Sequence, residues 1–326
     1  MRASSSSRRS NMSSRLPPSR QLDLKPPPLA RSMDAIEATL RLYFAALHEC
    51  NEEKFRAMWH PQGLLLGISP DGSVVCRDHD EFCRAAMARG PSIDYAKHDT
   101  VLSIERLDDT CASAKVQIVL PASPTSLTPT FEPTCYTDWL TLLHDTAIGG
   151  WRVISKVYSG TPFEEHKGSA RVLASVPVEP GAFHDLASAV WDVYVGSGRA
   201  CDGVTMATIF HPCSKLTFIN DNGSLSQISC NDFCAHVSGR WSSPKHLAWS
   251  HLQNDPRASS ADTLLSIDFA GPNVARVTLK IGYPPFLYHD VLLMLRVSQP
   301  LCGRAGWWIV AKSSANIPFL QEDTKQ

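Results

Sequence analysis

The sequence predicts an α+β protein built from two tandem copies of one domain, and three observations carry that prediction. Sliding the chain by 151 residues places Asp34 on Asp185, Ala38 on Ala189, Tyr43 on Tyr194, His60-Pro61 on His211-Pro212, Gly72-Ser73 on Gly223-Ser224 and Phe82-Cys83 on Phe233-Cys234 without a gap. After an insertion at about 242–261, the spacing becomes 163 and "LSIERLDDTCASAKVQI" meets "LSIDFAGPNVARVTLKI". Tyr136 and Asp138 then match Tyr288 and Asp290, Trp151 matches Trp307, and Lys156 matches Lys312. Each copy also runs helices first and strands afterwards, the order of an α+β domain with helices on one face of a curved antiparallel sheet.

The elements follow in order. "MDAIEATLRLYFAALHE" repeats its apolar residues at the helical period, and a short second helix is expected to end at "FRAMWHP". "GLLLGISPDGSVV" reads as a strand and turn. "DHDEFCRAAMARG" reads as a helix with Asp78 as N-cap and Gly90 as stop. Strands are expected at about 97–107, 111–121, 134–143 and 150–159, where β-branched and aromatic residues concentrate. A turn at His144 to Gly150 folds the last two together. Pairing symmetric about Ala147 would put Leu143 opposite Trp151 and Asp138 opposite Lys156, two charges on one sheet face.

The expected domains are 33–163 and 181–319, with a basic, Ser- and Pro-rich leader at 1–32, a linker at 164–180 and a tail at 320–326. The leader holds seven Arg or Lys, nine Ser and a single acid, Asp23, too little to build a core. It reads either as a disordered tail or as a mitochondrial or plastid transit peptide. A chain of 326 residues suits two domains. The net charge of −1 disfavours nucleic acid as a partner, and runs such as "DVLLMLRV" are too short for a membrane span.

Ten cysteines without CxxC units or a secretory segment point to a reducing, intracellular compartment. Without a secretion signal, the sequons at Asn11 and Asn222 carry little weight. Cys230 and Cys234 share a helix face, as do His79 and Cys83. Two ligands per helix are too few for zinc, so no metal and no cofactor is expected. Neither a Gly-x-Ser-x-Gly elbow nor a phosphate-binding loop occurs.

"LRLYFAALHECNEEKFRAMWHPQGLLLGISPDG", followed by "CYTDWLTLL" and "GGWRVISKVYSG", resembles the nuclear transport factor 2-like superfamily, and within it the SnoaL-like group described as lumazine-binding. The resemblance covers both copies. It implies a cone in each: a strongly bent antiparallel sheet wrapping a long helix around an apolar pocket. Members of that superfamily include steroid isomerases, polyketide cyclases, scytalone dehydratase and many noncatalytic binders and adaptors, so fold does not decide function. Many pair through their sheets, which implies an intramolecular pseudo-dimer here, with a monomer or a homodimer as the assembly.

By the same resemblance, Tyr43 and Asp138 stand where the ketosteroid isomerases place two donors to the steroid oxygen. The base aspartate of those enzymes would fall near Gly67 to Ser69, where no carboxylate stands; Asp71 lies in the turn "SPDGS". An ammonium at Lys156 would favour ionised Asp138, which cannot donate a hydrogen bond. Asp138 with Lys156, and Asp290 with Lys312, therefore read either as structural ion pairs or as polar handles for a ligand.

Tyr43 and Tyr194 read as packed core tyrosines or as ligand contacts. His60 and His211 read as caps of a helix-to-strand junction or as general bases. Alternation turns His289 away from Asp290.

Three functions stay open. The first is a small-molecule-binding protein for an apolar or aromatic ligand, with a pocket in each copy. The second is an isomerase, cyclase or dehydratase using His60, Asp138 or Tyr43. The third is an adaptor that meets a protein partner through the insertion carrying Trp249. No residue independently points to a pteridine.

Overall fold

The computed structural model describes residues 32–69, 72–121, 133–163, 178–220, 222–240, 261–283, 286–301 and 303–318. Residues 1–31 of the leader, Asp71, most of the linker, the insertion with Trp249 and the tail lie outside the described residues.

The first domain opens with α1 (Met33–Glu49), capped by Ser32, whose side chain accepts from the Ala35 amide. Its buried stripe of Ile36, Leu40, Tyr43 and Leu47 faces the sheet. The helix stops at Cys50, a non-glycine residue in the left-handed region with φ 48°. α2 (Glu52–Met58) is capped by Asn51 and ends before Trp59. Pro61 cannot extend a helix, so Trp59-His60-Pro61 open strand β1 (Trp59–Ile68) instead of finishing α2. β2 (Val74–Arg77) and α3 (His79–Met87) follow, and Asp78 with Glu81 forms a full capping box. A 3₁₀ turn (Ile93–His98) leads into β3 (Thr100–Arg106), β4 (Cys111–Leu120), β5 (Thr134–Asp145) and β6 (Gly150–Pro162).

The second domain repeats this order with one change in its long helix. α4 (Ala182–Ser188) passes through a π-helical segment (Ala189–Val195) into α5 (Gly196–Ala200), where α1 is regular throughout. The helix again ends on a left-handed cysteine, Cys201 at φ 53°. Then come α6 (Gly203–Ala207), β7 (Phe210–Ile219), β8 (Leu225–Ser229), α7 (Cys230–Gly239), β9 (Thr263–Gly271), β10 (Val274–Tyr283), β11 (Phe286–Leu301) and β12 (Arg304–Pro318).

The two six-stranded sheets have matching orders, β2-β1-β6-β5-β4-β3 and β8-β7-β12-β11-β10-β9. Four strands of each form the expected antiparallel meander, but β1 runs parallel to β6 and β7 parallel to β12, so each sheet is mixed. The chain leaves the helical layer and enters β1 in the direction of the last strand, a long-range pairing that no local pattern reports.

Each sheet buries its concave face under its own helices, in separate cores. The convex faces meet each other. Leu66, Trp139 and Val157 of the first sheet pack with Val274, Val291, Leu293, Leu295 and Val310 of the second. Two ion pairs cross this seam, Lys115 to Asp268 at 2.7 Å and Arg276 to Glu105 at 2.6 Å, and the Arg276 guanidinium lies 4.2 Å from the Trp139 ring centroid. The duplication is thus a dimer-like pair within one chain. No described helix is long and apolar enough to cross a membrane.

Candidate functional site

On the concave face of the first sheet, Asp138 of β5, Lys156 of β6 and Tyr43 of α1 converge. Asp138 does not stand opposite Lys156; it pairs with Tyr158, and Leu140 pairs with Lys156. The hairpin closes Asp145 on Gly150, and an irregularity between Thr141 and Leu142 moves the register once more. Next to the turn the slip is one residue, so Leu143 pairs with Arg152 and Trp151 with His144 rather than with each other; beyond the irregularity it is two, so Asp138 and Lys156 stay on one face as diagonal neighbours.

The Tyr43 hydroxyl donates to Asp138 Oδ2 at 2.6 Å and accepts from Lys156 Nζ at 2.7 Å. Lys156 also donates to Asp138 Oδ2 at 2.7 Å. Tyr43 and Asp138 are 0% exposed and Lys156 is 4% exposed. The ammonium sits 5.3 to 5.6 Å from the ring centroids of Tyr43, Phe82 and Tyr158. Two of its three protons have partners among the described residues. Asp138 Oδ1 is buried without a hydrogen-bond partner.

Burial, then the neighbouring Asp138 charge, raises the Tyr43 hydroxyl well above its ordinary range. Burial lowers Lys156; Asp138 opposes that shift and Arg89 adds to it. The Tyr158 hydroxyl is pushed up to about 12, first by burial and then by Tyr136.

The second copy assembles the same three residues with different bonds. Tyr194 donates to Asp290 Oδ2 at 2.7 Å, and Lys312 donates to Asp290 Oδ1 at 2.7 Å. Ser314 donates to that same Oδ1 at 2.6 Å and is also bonded to Lys312. Both oxygens of Asp290 are therefore engaged. Burial and Asp290 raise the Tyr194 hydroxyl well above its ordinary range.

The structure does not bring the histidines to these clusters. His60 Nδ1 accepts from the Gln62 amide at 3.1 Å, so Nε2 carries the proton toward Asp145 Oδ2 at 3.3 Å. His211 Nδ1 likewise accepts from the Cys213 amide, at 3.2 Å. In both copies the ring thus ties the first turn of the strand to itself. His289 falls opposite Lys280, one residue out of phase with Asp290.

Sequence reasoning missed Arg89. It donates to the Leu47 carbonyl, its Nε is buried without a partner, and its charge acts on both Tyr43 and Lys156. The 151-residue spacing, carried six positions past Cys83, pairs Arg89 with Arg240, which acts in the same way on Tyr194. Tyr158, whose place Ser314 takes, escaped notice because the copies differ there, and Gly67, marked in the sequence only as lacking a carboxylate, has its place taken by Phe218.

Solved structures of similar fold include a nuclear transport factor 2-like protein of unknown function from Silicibacter pomeroyi. It is 17% identical, covering 39% of this chain and 94% of its own, with a TM-score of 0.32. Another of that description, from Shewanella baltica, is 20% identical over 40% of this chain and 94% of its own, with a TM-score of 0.33. A ketosteroid isomerase-like protein from Erwinia carotovora is 15% identical over 39% and 94%, with a TM-score of 0.29. No curated protein matches this chain. The model of the family described as "Putative lumazine-binding" matches residues 31–159 and again residues 183–313, which together exceed half of the sequence. The chain belongs to that family, in two tandem copies.

Proposed function

We propose that this is a noncatalytic small-molecule-binding protein whose ligand site is the first domain alone, above the Tyr43–Asp138–Lys156 cluster. One observation carries the reading: Asp138 Oδ1 is buried and unpartnered, whereas the equivalent acid Asp290 has both oxygens bonded. A buried acceptor left without a donor costs about 1–3 kcal/mol, more when charged, and a ligand donor would recover it. The spare Lys156 proton beside it suits a carbonyl. A planar ring with an N–H next to a C=O matches both, and a pteridinedione such as lumazine has that edge.

Among the described residues the cluster is closed over, Tyr43, Asp138 and Lys156 all being buried. Tyr136 and Tyr158, both half-buried and in edge contact with ring centroids 5.7 Å apart, pack against the concave core beside it, and Tyr158 would have to turn aside for a ligand to enter. Proton-transfer chemistry has less support. Lys156 and Tyr43 both donate to Asp138, no second carboxylate joins them among the described residues, and His60 is committed to Asp145.

Lumazine titrated into the full chain and followed by its fluorescence tests the reading. Asp138→Asn should weaken binding about tenfold or more, the worth of one good hydrogen bond, and Asp290→Asn should leave it unchanged. Lys156→Arg, checked for fold by circular dichroism, serves as a second variant that keeps the charge and alters the reach. Absent binding, or equal sensitivity to both asparagine variants, would contradict the proposal.

A further inference from the structure

Cys230 and Cys234 lie one turn apart on α7, and their sulfurs are 3.9 Å from each other. Both side chains are buried, 5% and 6% exposed, in the apolar core of the second domain. Helix neighbours at this spacing hold their Cβ atoms about 5–6 Å apart, whereas a disulfide needs about 3.5–4.5 Å. The pair therefore stays as two thiols while α7 is wound. An ion between the sulfurs meets a different requirement. Metal–thiolate bonds run about 2.3 Å, so two of them around one ion span up to about 4.6 Å. The observed separation of 3.9 Å falls inside that reach.

The 151-residue spacing sets His79 and Cys83 in the same places of the first copy. There the histidine is committed elsewhere: its Nδ1 lies 2.9 Å from Asp80 Oδ1 and its ring packs edge-on against Phe55. The pair of sulfurs thus belongs to the second copy alone.

We propose that Cys230 and Cys234 bind one copper(I) ion as a two-coordinate dithiolate. Donor number and surroundings select the metal. Among the described residues no third His, Cys, Asp or Glu joins the pair, so the four ligands of a structural zinc are not met. Thiolates favour soft ions, and copper(I), the soft first-row cation, is stable with two of them. The charge also fits. Each thiol releases its proton to solvent and the copper stays in the +1 state, so the complex carries one net negative charge. Cys230 is the first residue of α7, directly after the Ser229 cap, where the positive end of the helix dipole meets that charge. This site is independent of the ligand site in the first domain.

The test loads the reduced full chain anaerobically with copper(I), challenges it with the chelator bathocuproine disulfonate, and counts the retained copper by native mass spectrometry. One copper per chain should survive, and X-ray absorption should give it two sulfur neighbours and no nitrogen or oxygen. Binding should release about two protons per copper, read with an indicator dye. Cys230→Ser and Cys234→Ser, checked for fold by circular dichroism, should each weaken retention about tenfold or more. Cys83→Ser, at the matching position of the first copy, should leave it unchanged. Complete loss of copper to the chelator, a nitrogen or oxygen neighbour, retention in both of the α7 serine variants, or zinc held as tightly by the same two cysteines would overturn the proposal.

Discussion

Asp138 and Asp290 occupy the same place in two copies of one sheet, yet only Asp290 has a donor on each oxygen. The difference traces to an exchange of volume between neighbouring strands. In the first domain Gly67 of β1 leaves room for Tyr158 of β6, and a Cβ on Gly67 would stand 2.5 Å from that ring. In the second, Phe218 pairs with Ser314, so the bulk has moved to the other strand and a hydroxyl reaches the acid. One fold thus carries either a saturated polar knot or one with an acceptor to spare. A second exchange lies nearby: His48 bonds Asp99 at 2.9 Å where the matching positions hold Arg199 and Asp262 in a two-pronged pair.

The largest test of this contrast removes the ammonium. Lys156→Met should cost about 3–5 kcal/mol in urea unfolding, the penalty of a lone buried charge. Lys312→Met should cost clearly less, because Tyr194 and Ser314 still hold Asp290. Equal costs would break the comparison.

Next comes the hydroxyl. Tyr43→Phe removes bonds to both charged partners and should cost about 3 kcal/mol, while Tyr194→Phe removes one and should cost about 1.5.

A smaller effect tests the volume exchange directly. Gly67→Phe and Tyr158→Ser should each destabilise by about 1–3 kcal/mol, and the double variant should recover at least half of their sum.

The smallest effect is set by pH. Burial depresses His60 and His211 below 6.5, and only His60 has a carboxylate, Asp145, opposing the shift. The unfolded chain then binds protons more readily than the fold, so stability falls as pH drops below about 6.5. Removing the more one-sided shift, with His211→Gln, should flatten that acid limb more than His60→Gln does.

Likenesses between the copies made the fold legible. The 151-residue spacing aligned Tyr43 with Tyr194, and the later spacings aligned Asp138 with Asp290 and Lys156 with Lys312; these are the residues that converge. Capping and period placed α1 and α3 closely because those signals are local. The parallel β1–β6 pairing was not legible, since it depends on contacts far apart in the chain. Nor was the irregularity between Thr141 and Leu142, which, added to the one-residue slip at the turn, puts Tyr158 opposite Asp138 while leaving Lys156 on the same face. Tyr158 and Ser314 escaped for the opposite reason: a repeat search rewards identity, and here the information lies in a difference.

The central claim is that two copies of the fold hold one ligand site. Isothermal titration of lumazine into the full chain measures it through stoichiometry. One molecule bound per chain, lost in Asp138→Asn, is the predicted result. Two molecules per chain, or one that survives in Asp138→Asn and disappears in Asp290→Asn, would contradict it.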